Sequence, residues 1–131
     1  MSKTPKPFNN GTWTVARKRS FIMSALRRAQ WPIKYLCIRN AFVKDGINPA
    51  TGRKCKLHKC EACGELFPAK DMRADHIDPI IPVTGFDSWD EVIDRLFCEL
   101  DGFQAICVGC HKIKTDAENK ERRENKKRKG A

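Results

Sequence analysis

The stretch between residues 60 and 118, CEAC (60–63), ADHIDPI (74–80) and LDGFQAICVGCHKIKTDAE (100–118), decides how this chain is read. It holds two Cys-x-x-Cys pairs, Cys60/Cys63 and Cys107/Cys110. Each pair offers two thiolates from one tight turn, and a tetrahedral zinc ion takes four such ligands. Gly64 follows the first pair and Gly109 sits inside the second, where turns tolerate unusual backbone. The four thiols therefore predict one structural zinc site whose binding energy is folding energy. Cys55 and His58 lie close enough in sequence to substitute as ligands, whereas Cys37 and Cys98 sit in apolar surroundings and read as buried thiols.

The segments around these turns have recognisable periods. Lys54–Lys59 and Leu66–Pro68 read as the arms of a β-hairpin with the first knuckle at its turn, and RADHI (73–77) as a short strand. Ser88 and Glu91 have capping-box spacing ahead of Val92, Ile93, Leu96 and Phe97, predicting a helix over about 88–98. FQAI is a short apolar run, and the second knuckle opens a final helix from about Val108 that gives way to a fraying charged run. Upstream, residues 15–30 carry a helical apolar stripe through Phe21, Ile22 and Ala25. Pro32 starts a second helix reaching to about residue 43, and Asp45-Gly46 and Asn48-Pro49 read as turns. Trp13 and Trp31 are expected to cover the small core.

The fold class is thus α+β, divided into a basic arm and helical segment (1–53), a zinc-stabilised core (54–119) and a basic tail (120–131). At 131 residues the core is modest, which suits a metal-stapled fold. No apolar run approaches the roughly 18 residues of a membrane span, and the polar first residues lack a signal-peptide core. The expectation is a cytoplasmic protein without membrane contact, where cysteines serve metals more than disulfides.

Charge is segregated. Residues 1–60 hold 14 Lys/Arg against Asp45 alone, residues 61–111 hold 3 basic and 11 acidic residues, and residues 112–131 hold 9 basic and 4 acidic. A basic front and tail around an acidic centre predict a nucleic-acid partner, with some central carboxylates serving a divalent cation. Asp90, Glu91 and Asp94 read instead as a solvated helix face.

Asp75 and His76 are neighbours on a strand, so their side chains point to opposite faces and do not pair with each other. Asp75 and His111 then offer an oxygen and a nitrogen ligand to one divalent ion, leaving His76 to take a proton from water, a task suited to an ordinary pKa near 6.5. That division of labour fits phosphodiester hydrolysis.

The run CEAC…ADHIDPI…LDGFQAICVGCHKIKTDAE resembles the HNH, or ββα-metal, endonuclease family, in the small phage-encoded form with a structural zinc. The order of knuckles around Asp-His is also similar to the phage recombination endonuclease VII family. The resemblance covers about the second half of the chain. It implies a ββα-metal core, with Asp75 and His111 holding a catalytic Mg²⁺ or Mn²⁺ (Zn²⁺ and Ni²⁺ being alternatives) and His76 as general base. It further implies Cys60, Cys63, Cys107 and Cys110 as zinc ligands and Lys114 as a phosphate contact. The family's middle Asn falls at Gly102, where Asp101, Gln104 or a backbone carbonyl would have to stand in. Arg17, Lys18, Arg19, Arg27 and Arg28 are candidate DNA contacts on the leading helix. The resemblance implies a DNA endonuclease in a host cytoplasm, monomeric or homodimeric, with a phage packaging or replication partner. Two other readings stay open: a zinc-stabilised DNA-binding module without cleavage, and a structure-selective junction resolvase.

Overall fold

A computed structural model describes residues 4–130; residues 1–3 of the expected arm and Ala131 of the expected tail lie outside them. The chain divides into two compact units, Met1–Trp31 and Pro32–Ala131. In the first, Phe8 and Trp13 are bridged across a tight turn in which Asn9, Asn10 and Gly11 all have positive φ. Helix α1 (Val15–Ala29) follows. Its N-cap is Thr14, whose hydroxyl accepts from the Arg17 amide at 3.1 Å, and Arg27 and Arg28 complement the dipole in its last turn. The Trp13 ring packs against Phe21 with centroids 4.9 Å apart.

Helix α2 (Trp31–Asn40) has Pro32 in its first turn, where a missing N–H costs nothing. Trp31 itself is exposed, so it does not cover a core as expected. Strand β1 (Phe42–Ile47) then runs antiparallel to β2 (Lys54–Lys59), and β3 (Leu66–Pro68) completes a sheet in the order β1-β2-β3. The reverse turn between β1 and β2 is made at Asn48, which accepts the Ala50 amide on its side chain at 2.9 Å and the Gly52 amide on its carbonyl at 2.8 Å. Asp45-Gly46 is strand, not turn: Gly46 lies opposite Cys55, and a Cβ there would force the end of the Leu57 side chain to move. That glycine answers a packing need which reads in sequence like a turn signal.

The first knuckle lies between β2 and β3, as its hairpin pattern predicts. Strand β4 (Met72–His76) pairs antiparallel with β5 (Phe103–Cys107) in a second, two-stranded sheet. Their long connection carries helix α3 (Trp89–Leu96), capped by Ser88, whose hydroxyl accepts from the Glu91 amide at 3.2 Å. The Glu91 carboxylate pairs with Arg95 at 2.6 Å. Met72, Phe103, Ala105 and Ile106 from the hairpin pack with Cys37, Cys60 and Cys107 in the main core. Cys37 is buried as expected, and burial, aided by Glu61 and Asp75, pushes its thiol up to about 11, so it stays protonated. Cys98 is only partly buried.

Helix α4 (Val108–Gly130) opens on the second knuckle and continues through the charged run expected to fray. The loop over residues 77–87 stabilises it there. Arg122 donates to the Ile81 carbonyl at 2.8 Å, Asn125 to Val83 at 3.0 Å, and Lys129 to Thr84. Positions 122, 125 and 129 share one helix face, so a single face grips successive loop carbonyls. From the other end Arg95 donates to the Pro79 carbonyl at 3.1 Å. Among the described residues no helix is long and apolar enough to cross a membrane.

Two outcomes follow from this packing. Ile106→Ala removes a side chain that is 1% exposed and should lower unfolding free energy by about 2–5 kcal/mol in urea titrations. Replacing Arg122 and Asn125 together by Ala should speed proteolytic cutting within 77–87 several-fold while leaving the zinc content unchanged.

Candidate functional site

The clearest constellation is the four-thiol cluster. Cys60 leaves β2, Cys63 follows in the knuckle, Cys107 ends β5 and Cys110 lies in the first turn of α4. Their four sulfurs all lie within 4.8 Å of one another. Zinc–thiolate bonds of about 2.3 Å in a tetrahedron put sulfurs about 3.8 Å apart, so the cluster fits a structural ion such as zinc. Backbone amides prepare the site: Cys63 N donates to Cys60 Sγ at 3.4 Å, Cys107 N to the same sulfur at 3.2 Å, and Cys110 N to Cys107 Sγ at 3.4 Å. Burial opposes ionisation of Cys60, but amides of Cys63, Cys107 and Ala62 outweigh it and bring the thiol down to about 6. Gly64, at φ +78°, closes the first knuckle by donating to the Cys60 carbonyl at 2.9 Å. His58, considered as a substitute ligand, is buried with Nδ1 3.3 Å from the Phe67 carbonyl.

One residue along α4 from Cys110, a second cluster begins. His111 Nε2 lies 3.6 Å from Asp75 Oδ1. The other Asp75 oxygen accepts from Gln104, its cross-strand neighbour, at 3.0 Å and from Lys114 Nζ, also at 3.0 Å. Lys114 donates as well to the His76 carbonyl at 3.0 Å and pairs with Glu118 at 2.5 Å. Burial works against the Lys114 charge, but the Glu118 and Asp75 carboxylates outweigh it and hold its pKa above the usual lysine value. Asp75 Oδ1 and His111 Nε2 thus present an oxygen and a nitrogen donor 3.6 Å apart.

His76 ends β4, and its side chain lies apart from this carboxylate cluster, as strand alternation requires. Its ring is buried against Phe103, with centroids 4.4 Å apart, and Nε2 is 3.0 Å from the Leu96 carbonyl at the end of α3. A carbonyl only accepts, so the ring proton sits on Nε2 and the basic lone pair on Nδ1. Burial lowers the His76 pKa from its ordinary value, keeping the ring neutral at pH 7.

Gly102 has its own geometric cause. A Cβ at that position would come within 2.5 Å of Cys98 Sγ, so no asparagine fits without displacing Cys98. The Gly102 carbonyl instead accepts from the Ile77 amide at 2.9 Å, fixing the chain just after His76. Near it, the Leu96 carbonyl orients the His76 ring and Gln104 donates to Asp75. Sequence reasoning missed Leu96, since backbone carbonyls carry no sequence signal, and Glu118, although its i,i+4 spacing from Lys114 was visible. It also missed Glu61, whose amide donates to the Ala105 carbonyl and whose carboxylate accepts from the Ala105 amide at 2.5 Å.

The candidate contacts on α1 belong to the first unit. Arg17, Lys18, Arg27 and Arg28 are exposed and Arg19 is half-buried. Arg17 also lies over the Trp13 ring and Lys18 over Phe8, at 5.5 and 3.8 Å from the centroids.

Compared with known proteins, the chain matches no family model, no curated protein and no solved structure. The site geometry therefore carries the functional argument. For the thiol cluster, the expected metal stoichiometry is one zinc per chain by elemental analysis. Cys107→Ser should reduce it and abolish cooperative thermal unfolding, as should a strong chelator acting on the parent protein.

Proposed function

We propose that this chain is a metal-dependent DNA endonuclease of the HNH type, with one active site at Asp75, His76 and His111. The observation that supports this reading most directly is the approach of Asp75 Oδ1 to His111 Nε2, one residue beyond a thiol of the four-cysteine cluster. Strand β4 pairs antiparallel with β5 across a connection that carries α3, and α4 follows β5 directly, an arrangement compatible with a ββα core.

Asp75 and His111 would hold a Mg²⁺ or Mn²⁺ ion, which supplies charge stabilisation for a phosphodiester and its leaving oxygen. The protein's own groups do the rest. Gln104 and Lys114 fix the Asp75 carboxylate through its second oxygen, leaving Oδ1 toward His111. Lys114 also ties Asp75 to the His76 backbone, setting the distance between ligand and base. With its ring oriented by the Leu96 carbonyl, His76 would take a proton from water as the water oxygen attacks phosphorus. The P–O bond to the leaving oxygen breaks, and that oxygen is protonated from solvent. The basic residues of α1 and the cationic part of residues 32–60 are suited to sequence-independent phosphate contact.

A second reading, DNA binding without cleavage, draws on the burial of His76, a residue only 7% exposed. Plasmid relaxation by the purified protein with Mg²⁺ or Mn²⁺ separates the two. His76→Ala should lower the cleavage rate by about 10²–10⁴-fold, the usual contribution of a general base, with zinc content and fold intact. A mutant that cuts like the parent sinks the mechanism. Salt-sensitive DNA binding by a parent protein inert with every divalent metal establishes the second reading.

A further inference from the structure

The face made by α2 and the β1–β2 ribbon lies within the second unit and is not used by either metal cluster. It contains a cleft of about 550 Å³ lined by Tyr35, Ile38, Arg39, Phe42, Lys56 and His58 among others. That volume falls in the roughly 300–1,000 Å³ range of small-ligand sites. Tyr35 and Arg39 are one helical turn apart and so share a face of α2. Across from His58 in the sheet register stands Phe42, 43% exposed although it is a large apolar ring. His58 supports that ring edge-on at a centroid distance of 6.1 Å and an interplanar angle of 70°. Lys56 Nζ lies 5.8 Å from the same centroid. Tyr35 is 60% exposed.

Exposed aromatic faces alternating with cations are the chemistry of a single-strand binder, which stacks bases and neutralises phosphates. Charge decides among occupants. Residues 32–60 carry seven Lys/Arg and one acid, which repels a second copy of this chain and favours a polyanion. We infer that this face binds an unpaired nucleotide of a DNA strand, its base stacked on Phe42 and Tyr35 and its phosphate between Arg39 and Lys56. Resting on the endonuclease reading, this names the substrate class as DNA with an unpaired stretch next to duplex, such as a branch or flap. A fully paired duplex hides its bases and gains nothing from the two rings.

The test is fluorescence anisotropy with labelled oligothymidylate of about 12 nucleotides, within the site sizes of single-strand binders, against a duplex of equal length. No divalent metal is added, so the readout stands whether or not the protein cleaves. Phe42→Ala and Tyr35→Ala should each weaken oligothymidylate binding by roughly 5- to 100-fold, the loss for one stacked base, and leave duplex affinity within about twofold. Arg39→Gln should lower the magnitude of the log–log salt slope by about 0.7, the value for one phosphate on a single strand. Phe42→Trp, which keeps an aromatic face, should restore affinity, and an unchanged unfolding midpoint shows that the alanine variants remain folded. Oligothymidylate affinity unchanged in both alanine variants overturns the inference. So does displacement of the oligonucleotide by polyglutamate of equal charge as effectively as by itself, which marks a general anion surface.

Discussion

The structure depends on what happens at Cys60. Its sulfur accepts amide hydrogen bonds from Cys63 in its own turn and from Cys107 at the end of β5, joining the two halves of the thiol cluster. The next residue, Glu61, adds a backbone bond and a carboxylate bond to Ala105. The three-stranded sheet and the two-stranded sheet share no ladder, so this junction ties them together. An ion held by the four thiols would add folding free energy at the place where the sheets meet.

The same economy governs α4. Its first turn gives Cys110 to the thiol cluster and His111 to the Asp75 cluster, so any shift of the helix would disturb both. Lys114, one turn on, lies between the Asp75 and Glu118 carboxylates, and its charge is kept by them despite partial burial. The far half of the helix holds the 77–87 loop by side-chain bonds to its carbonyls. Basic residues that a composition argument assigns to a polyanion are thus partly committed to the protein's own backbone. The net charge is +10, and geometry determines how much of it faces outward.

Gly102 contributes through its backbone. A Cβ at 102 would force the Cys98 side chain to move, and backbone groups carry the contacts there. Its carbonyl anchors Ile77, the Leu96 carbonyl orients the imidazole of His76, and the Gln104 amide orients Asp75. Three ordinary hydrogen bonds hold the chain around His76 and Asp75.

Local chemistry was legible in the chain itself. The knuckles, the Ser88 cap, the hairpin around Cys60–Cys63, the Asp75-His76 strand and the helix opening at Val108 all follow from spacing and period, because each depends on residues within a few positions of one another. Opposite orientations of Asp75 and His76 follow equally from strand alternation. Tertiary structure alone decided the rest. Gly46 reads as a turn but answers to Leu57 across the sheet, and the charged end of α4 reads as frayed but is held by a loop more than forty residues earlier in sequence. Leu96, Glu61 and the Lys114–Asp75 pair act through backbone groups or long-range contacts, which leave no periodic trace. Sequence determined which residues could meet a metal; only the packing of β4, β5 and α4 determined that Asp75 and His111 do approach each other, while the His76 ring is held apart from them against Phe103 and Leu96.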